Sequence, residues 1–559
     1  MPSTFLGLNT GLSGLNFYQA NMHTTAHNIS NADVKGYSRQ TVLSQAADAL
    51  RVNNAYGMMG TGVKATGITQ LRNIYYDTKY HAAQSQYSEY AGAKEQLTQL
   101  QSYLNEMKSE TGYTKLLSEL SSALQDLSSS PADATYRTQF IKSAQNFTDL
   151  IKETGTNYRN TQQDINNEVT IHVDSINSIA SQIYTLNQQI MNIETRSGSA
   201  NDLRDQRELL VDQLSELVNV TVTETPIKYG FGADAVESGA SRYEVRIGNT
   251  VLVDEMECKQ LKVVARQEKV NQNDIDGLYD VYWEGLNQTI GEKFNFNSEN
   301  VTGRIKGLLE VRDGNNANPF SGTITSMATG TGNGSTASVH LSKAISIDQL
   351  NLPESGIITL NCKEYYYDSW EATKDAKGNL TSFIFKNLTV QDETGRRVPA
   401  TFDVATDVGK EAIVGERVDC KGIPYYMTQL NEFARTLSKY MNDIFTTGAD
   451  ANGDPGMDFF TAPDIEGNDY VLTGNSNTTM ISSVDSSYYR VTALNWGINQ
   501  DILKDESKLV VSYKEDISQG NKDAKGVLEK IIAGMSDQSM FSQGTVAQFL
   551  QSITTSQAV

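Results

Sequence analysis

Cysteine, histidine and proline are scarce in this sequence. Its three cysteines, Cys258, Cys362 and Cys420, are far apart and odd in number, so they supply neither a disulfide framework nor a zinc-ligand spacing. The five histidines, His23, His27, His81, His172 and His340, include no His-Glu-x-x-His pair. No uninterrupted apolar run reaches the roughly 18 residues of a membrane-spanning helix, which excludes an integral membrane protein. Basic residues are few as well: 46 Lys and Arg against 67 Asp and Glu leave a net charge of −21. That charge repels phosphate backbones and anionic lipid, so neither nucleic acid nor membrane is an expected partner. The first residues are not a secretory signal, because the first basic residue is Lys35 and Gly7, Gly11 and Gly14 break the apolar stretch. Taken alone, this says cytoplasmic, unless export uses a route without a cleaved leader.

What remains is a chain of 559 residues, 38% hydrophobic, with room for three to four globular domains of about 150 residues. Proline marks the divisions. None occurs between Pro2 and Pro131 or between Pro131 and Pro226, and these 225 residues are rich in Gln, Asn, Ser, Ala and Leu, which suits long helices. Leu8, Leu12, Leu15, Gln19, Met22, Ala26 and Ile29 recur in steps of three and four. So do Tyr90, Ala93, Leu97, Leu100, Leu104 and Met107, and again Ile165, Val169, Val173, Ile176, Ala180, Ile183, Asn187 and Ile190. These narrow seams are those of coiled coils and predict partner helices of similar length. Asn187 either sits buried on its seam, fixing register, or yields the seam to Leu186 and turns outward.

Past Pro226 the period changes to two. Tyr243–Ile247, Leu278–Trp283 and Ile357–Leu360 read as strands bounded by Gly, Asn and Asp. Helical spacing returns at Met427, Leu430, Ala434, Leu437, Met441 and Ile444, and further helices are expected near 505–515, 521–534 and 543–554. The fold class is therefore α+β and multidomain, a long helical or coiled-coil stalk with inserted β-rich outer domains. The expected segments are an N-terminal helix with an extended motif (1–75), a helical stalk (76–225), a β-rich domain (226–313), an inserted β-rich outer domain (314–422) and a return helix, loop and C-terminal helical segment (423–559). The insert begins in a Gly/Ser/Thr-rich stretch and ends at Gly422-Ile-Pro424, boundaries that predict its removal leaves the rest folded.

Sites for chemistry are few. Asp450, Asn452, Asp454 and Asp458 alternate like a calcium loop, but an EF-hand needs Gly at its sixth and Glu at its twelfth position. Pro455 and Thr461 stand there, and a solvated turn is the preferred reading. Gly330, Gly332 and Gly334 lack the lysine of a phosphate-binding loop and read as a linker. His23 and His27 have metal-ligand spacing without a third ligand nearby, so a polar helix surface is preferred. No nucleophile–base set can be nominated, and no catalytic residue, metal or cofactor is expected. Asn201 reads as a helix N-cap, with Asp202 and Asp205 in the first turn and Arg204 placed to pair with Glu208. Asn28 and Asn31 suit a helix end, where they tolerate the left-handed conformation and bond the backbone; Gly36 supplies a free turn.

Gly11-Leu-Ser-Gly14-Leu15, then Asn28-Ile29-Ser-Asn31, then Gly36-Tyr37-Ser38-Arg39-Gln40 form a string that resembles the N-terminal signature of bacterial flagellar axial proteins of the rod–hook class. Val173–Asn177, Leu186–Ile190 and Asn201-Asp202-Leu-Arg204-Asp205-Gln-Arg207 are similar to the hook-associated protein 1 family, as are Gly303–Asp313, Leu430–Ala434 leading to Asn442, and Gly453–Phe460. The resemblance implies a structural, non-enzymatic protein at the junction of hook and filament, extracellular after type III export without a cleaved signal. It implies as partners the protein itself in a ring or helical assembly, hook protein, a second hook-associated junction protein on the filament side, and an export chaperone where the C-terminal segment is present. Leu8, Leu12, Leu15, Met22 and Ile29, with the two motifs and Asn187, are then the expected assembly residues. Two departures stand out: residues 314–422 are an insertion, and the chain stops at Val559 where the family continues into a long heptad helix that pairs with the N-terminal one. Rival readings are a hook protein or flagellin, or a secreted enzyme with its site in 314–422, where His340 is the single histidine. A coiled-coil receptor lacks its membrane span.

Overall fold

Long helices follow from the proline-poor first part of the chain. The structure, a computed structural model, describes residues 5–51, 57–103, 112–196, 198–229, 236–285, 288–330, 334–392, 395–464, 466–472, 479–485, 487–519, 521 and 524–558. Helix α1 (Leu6–Ser30) is followed by strands β1 (Gln40–Ala46), β2 (Leu50–Arg51), β3 (Met58–Met59) and β4 (Val63–Gln70), then by helices α2 (Ile74–Tyr103), α3 (Tyr113–Ser129), α4 (Ala134–Glu194) and α5 (Asn201–Leu217). Next come β5 (Val220–Tyr229), β6 (Val236–Ile247), β7 (Thr250–Val253), β8 (Leu261–Ala265), β9 (Tyr279–Glu284), β10 (Ile290–Lys293) and α6 (Arg304–Asp313). Strand β5 begins before Pro226, in a stretch the sequence assigns to helix. There Val220, Thr221, Val222, Thr223 and Thr225 form a β-branched run that favours extended backbone, and Pro226 itself lies within the strand opposite Ser241.

The chain packs as two units built from discontinuous segments: 1–92, 169–264 and 280–307 form one, and 93–168, 265–279 and 308–559 the other. In the first unit, β1 and β4 pair antiparallel, β5-β6-β7 form one sheet and β10-β9-β8 another. The seam of α4 from Val169 to Ile190 is buried throughout, Asn187 included. Strands, not a matching helix, receive polar groups along it: the Asn177 side chain bonds both the N–H and the C=O of Leu261, and Asn187 donates to the carbonyl of Tyr243. Steps of three and four fit any flat apolar partner, so they did not distinguish sheet from helix.

Helix α2 buries only the far end of its apolar seam: Leu100 is wholly buried and Ala93 and Leu97 half-buried, whereas before Gly92 a different face turns inward. Tyr90 is 73% exposed, while His81, Ser85, Ser88, Glu89 and Gly92 are buried. The Ser85 hydroxyl bonds Thr302, Glu89 pairs with Lys306, and Gly92 lies against Arg304. Small and polar side chains let the backbone approach where larger ones would not. Leu104 and Met107 of this seam lie outside the described residues.

The second unit holds strands β11 (Phe320–Ala328), β12 (Ser335–Ile345), β13 (Gly356–Leu360), β14 (Lys363–Tyr367), β15 (Ser369–Lys374), β16 (Leu380–Gln391) and β17 (Arg397–Pro399), a helical turn α7 (Val404–Asp407) and β18 (Glu411–Val414). Helix α8 (Ile423–Phe445) follows, then β19 (Gly448–Ala449), β20 (Phe460–Thr461), β21 (Met480–Ser482), β22 (Gly497–Ile498), α9 (Gln500–Lys504), β23 (Ser512–Tyr513), α10 (Lys514–Ser518), α11 (Gly526–Met535) and α12 (Val546–Ala558). The helix expected over 505–515 is a short 3-10 turn at Glu506–Lys508 followed by β23, because Leu509 and the β-branched Val510 and Val511 enter the core as an extended run. The Gly330–Gly334 linker has residues 331–333 outside the described set.

The strands run in the order β12-β11-β18-β13-β14-β16-β15-β21, and β16 pairs back onto β12, so six of them close a ring around Trp370, Phe383, Phe385, Ile358 and Val339. Closure removes edges that would otherwise pair with other chains. The 314–422 segment is not self-contained, however. Strand β21 extends its sheet and Tyr489 joins its core. The Arg435 guanidinium of α8, wholly buried, donates to the carbonyls of Ile347, Asp348, Leu350, Tyr489 and Val491 and to the Gln272 amide oxygen. In the helical part of the unit, Phe140 stacks on Phe459, and Phe147 meets Phe433 and Trp496 edge-on. All six seam residues of α8 are buried, as their spacing requires.

The Asp450 loop is a turn: one oxygen of the Asp450 carboxylate accepts the backbone N–H groups of Asn452 and Asp454. At its far end Asp458 is largely enclosed. Burial, with help from Asp443, pushes its carboxyl up to about 6 even though it accepts the Leu472 N–H. The fold therefore favours the protonated form. The resulting stabilisation is complete below about pH 4, the unfolded pKa, and is lost as pH rises through about 6. Asp458→Asn should raise stability by about 1–2 kcal/mol at pH 8, after allowance for solvent screening, and leave it unchanged at pH 4. Urea unfolding at the two pH values checks this; equal effects at both would contradict it.

Candidate functional site

The string from Asn28 to Gln40 folds back on α1 and grips α5. Gly36, at φ +85°, reverses the chain, and a Cβ there would lie 3.1 Å from the Cβ of Leu209. Asn28 then treats Gln40 as a neighbouring strand would: its Nδ2 donates to the Gln40 carbonyl and its Oδ1 accepts the Gln40 N–H, both at 2.9 Å. The Tyr37 hydroxyl donates to the same Oδ1 at 2.8 Å. Its one proton is thereby committed, so Nδ1 of His27, 2.9 Å from the Tyr37 oxygen, is the donor of that pair. His27 thus belongs to this clasp rather than to a metal pair with His23. Asn31 bonds the His27 carbonyl at 3.0 Å with φ −108°, so the helix ends without a left-handed asparagine.

From α5, Asp205 accepts the Ser38 N–H at 3.1 Å and Asp202 accepts from Gln40 Nε2 at 2.9 Å. Burial holds Asp205 above the usual carboxylate range in spite of the Ser38 bonds. Asn201 is not the N-cap; Ala200 takes that position without a side-chain bond. The Asn201 amide instead reaches the Ile68 carbonyl, and the Asn201 carbonyl receives Gln70 Nε2, tying β4 to α5. Arg204 passes over Glu208. It forms a two-bond fork with Glu194 at 2.6 and 2.9 Å and a third bond with Glu224 at 2.9 Å. Burial alone would raise Glu224, but Arg204, with the Ser241 hydroxyl and Arg207, holds it below its usual range. Arg207 donates to Asn187 Oδ1 and stacks 3.4 Å over the Tyr243 ring, whose hydroxyl donates to Glu208. Burial drives the Tyr243 pKa well up, keeping that hydroxyl a donor. A cavity of about 380 Å³ adjoins these groups, lined by Arg72, His81, Glu194, Arg204, Glu208 and Tyr243 among others.

Residues 97–334 match the sequence model of a family described as the flagellar hook-associated protein FlgK helical domain, and residues 8–37 match the flagella basal body rod protein family. Over these segments the chain is similar to the FlgK family. It is 31% identical over 250 residues to flagellar hook-associated protein 1 of Bacillus subtilis, a match covering 44% of this chain and 49% of that protein. It is 32% identical over 219 residues to flagellar hook-associated protein 1 of Escherichia coli, covering 39% of each. The chain thus spans half or less of the length of these relatives. The solved structure of the flagellar hook junction protein FlgK from Burkholderia pseudomallei aligns over 86% of this chain and 95% of its own, at 14% identity and TM-score 0.43.

In this chain the seam of α1 is open. Leu8, Leu12, Leu15, Met22 and Ile29 are each more than half exposed, and a Cβ on Gly11 or Gly14 would meet nothing within 4 Å. Arg39 is exposed, and its side chain has no partner among the described residues. The structure therefore gathers Asn28, Gly36, Tyr37, Asn201, Asp202 and Asp205 into one clasp and links Arg204, Arg207 and Asn187 behind it, while the α1 seam faces solvent. The Gly303–Asp313 motif forms α6 instead. Gly303, at φ +125°, lies where a Cβ would be 2.5 Å from the Leu217 carbonyl oxygen. Sequence reasoning missed His27, Glu194, Glu224 and Tyr243 as members. Their bonds span ten residues for His27–Tyr37 and Glu194–Arg204, twenty for Glu224–Arg204 and thirty-five for Tyr243–Glu208, beyond any helical spacing. Removing the central amide should be felt at once: Asn28→Ala strips Gln40 of both backbone partners. The Gln40 amide should then exchange its hydrogen about 10-fold faster, equivalent to roughly 1–2 kcal/mol. An unchanged rate would mean that the β1–β4 pairing alone protects it.

Proposed function

We propose that this chain is a structural axial protein of the bacterial flagellum, forming the junction between hook and filament by helical self-assembly after type III export. The observation that carries the reading is the clasped, exposed α1. Most of the exposed large apolar side chains among the described residues lie before residue 91, although 169–264 and 280–307 belong to the same unit. A soluble monomer rarely presents so much apolar surface unless a partner covers it. Residues 5–32 carry no Asp, Glu, Lys or Arg, so a layer of such helices from many copies accumulates no charge repulsion. The clasp at Asn28–Gln40 and α5 sets the angle at which α1 leaves its unit. The assembly motifs, Leu8–Ile29 for the seam and Asn201–Arg207 for the clasp, act together in this reading, with the β-rich segments 226–313 and 314–422 carried outside the helical layer.

The named relatives are flagellar components, and the reading makes this chain a non-enzyme whose partners are its own copies, hook protein below and a second junction protein above. It would leave the cell without a cleaved leader. Electron microscopy of a deletion strain tests the junction role. Hooks without filaments, with flagellin shed to the medium, are expected. Normal filaments would refute the junction, and absent hooks would point to a hook protein.

A further inference from the structure

As far as Gly92, helix α2 is inverted for a helix on a globular unit. Its small and polar residues face inward, and Tyr76, Tyr80, Tyr87 and Tyr90 face water at 68, 47, 70 and 73% exposure. Their spacing places them on one face at 3.6 residues per turn, and Lys79 and Lys94, both exposed, share it. None of the four hydroxyls has a hydrogen-bond partner among the described residues. Unpartnered tyrosines with cationic ends are the chemistry of a protein interface, because each ring supplies apolar area and its hydroxyl a bond at little entropic cost.

We infer that this face docks on the outer face of α4 in a second copy of the chain, an inference that rests on the self-assembly proposed above. Charge selects the occupant. Residues 1–94 hold seven Lys or Arg against four Asp or Glu, whereas the whole chain carries −21, so the remainder is strongly acidic. On α4 the exposed residues Asn146, Asp149, Glu153, Asn160, Asp164 and Asn167 form one acidic, amide-rich stripe, with Lys152 at its edge. Lys79 and Lys94 are fifteen positions apart, and so are Asp149 and Asp164, a span of about 22 Å along either helix. Both lysines can therefore meet both aspartates at once, leaving the tyrosines against Glu153 and Asn160, whose oxygens accept from phenolic hydroxyls. The two faces differ, so the contact is heterologous and repeats from copy to copy without closing on a pair.

The test uses the full chain expressed in a deletion strain, with p-benzoylphenylalanine replacing Tyr87. Irradiated, purified flagella should yield a cross-linked dimer of this chain whose joined peptides pair residue 87 with residues 146–167. Lys79→Glu with Lys94→Glu should lower that dimer roughly 10-fold, and adding Asp149→Lys with Asp164→Lys should restore it. Incorporation of the chain with cross-links to another flagellar protein, to other parts of this chain, or to nothing would overturn the interface while leaving the junction role standing. Indifference of the dimer to charge reversal would overturn it equally. Absence of the wild-type chain from flagella would instead refute the function proposed above.

Discussion

Arg435→Met is expected to lower the stability of the second unit by about 3–5 kcal/mol, enough to unfold a marginal domain. The guanidinium is fully buried and no carboxylate among the described residues pairs with it; it is held by five carbonyl oxygens and the Gln272 amide. Burial pushes its pKa down to about 10, so it stays charged at neutral pH. Methionine fills much of the volume but donates nothing, and each carbonyl left bare in the interior costs about 1–3 kcal/mol unless it finds a new donor. Lysine should rescue little, since a point charge with three donors cannot serve acceptors arranged for a planar fork. Trp370 and Trp496, both buried in this unit, report its unfolding by fluorescence in urea. A midpoint shift worth less than about 0.5 kcal/mol would show that these carbonyls have other donors within reach. The same network decides whether 314–422 can be excised. Ile347, Asp348 and Leu350 belong to that segment, so its removal takes away three of the five carbonyls, and the shortened chain should fold only if Arg435 is replaced by an apolar residue as well.

How much of this was legible in the sequence depends on the range of the interaction. Helices α1, α4 and α8 were, because their apolar steps of three and four are local and buried seams follow directly from them in α4 and α8. What covers a seam was not, because strands satisfy α4 as well as a helix would. Helix α2 was legible at Leu100, which is buried, but misread at Tyr90 for the opposite reason: the buried face there is built from Ser85, Glu89 and Gly92, which carry no hydrophobic signal, and the ring of Tyr90 advertises a core it does not join. Turn chemistry was legible at Gly36, where the backbone needs a positive φ. The clasp was legible as a string and illegible as geometry. Asn201 has the right side chain for an N-cap, yet two longer-range acceptors, the Ile68 carbonyl and Gln40 Oε1, take its amide. Arg204 likewise ignores its i+4 neighbour for one buried and one half-buried carboxylate that no local pattern announces.

The free monomer should show α1 almost unprotected in hydrogen exchange over Leu12–Met22, by less than about 10-fold, while the seam amides of α4 exchange only through global opening, slower by about 10⁴ or more. Thr24 is the one buried side chain of α1. Its main neighbours are β1 and β4, themselves a two-stranded pair, and near its start Ser13 Oγ accepts the Val63 N–H at 3.2 Å. A helix with one solvated apolar stripe gains little from packing, and nucleation is costly, so 25 residues are marginal in water. Gly11 and Gly14 weaken it further, by about 1 kcal/mol each relative to alanine. Protection should rise toward Asn28, where the side-chain amide and Tyr37 pin the last turn to Gln40. In assembled flagella the same amides should become as slow as those of α4, because the leucine stripe is then covered. Gly11→Ala and Gly14→Ala together should raise monomer protection by about 2 kcal/mol of helix stability without touching a contact, since both positions face open space. Strong protection across Leu12–Met22 in the dilute wild-type monomer would mean that α1 finds a partner within its own chain, and the open seam could not then be the surface on which copies assemble.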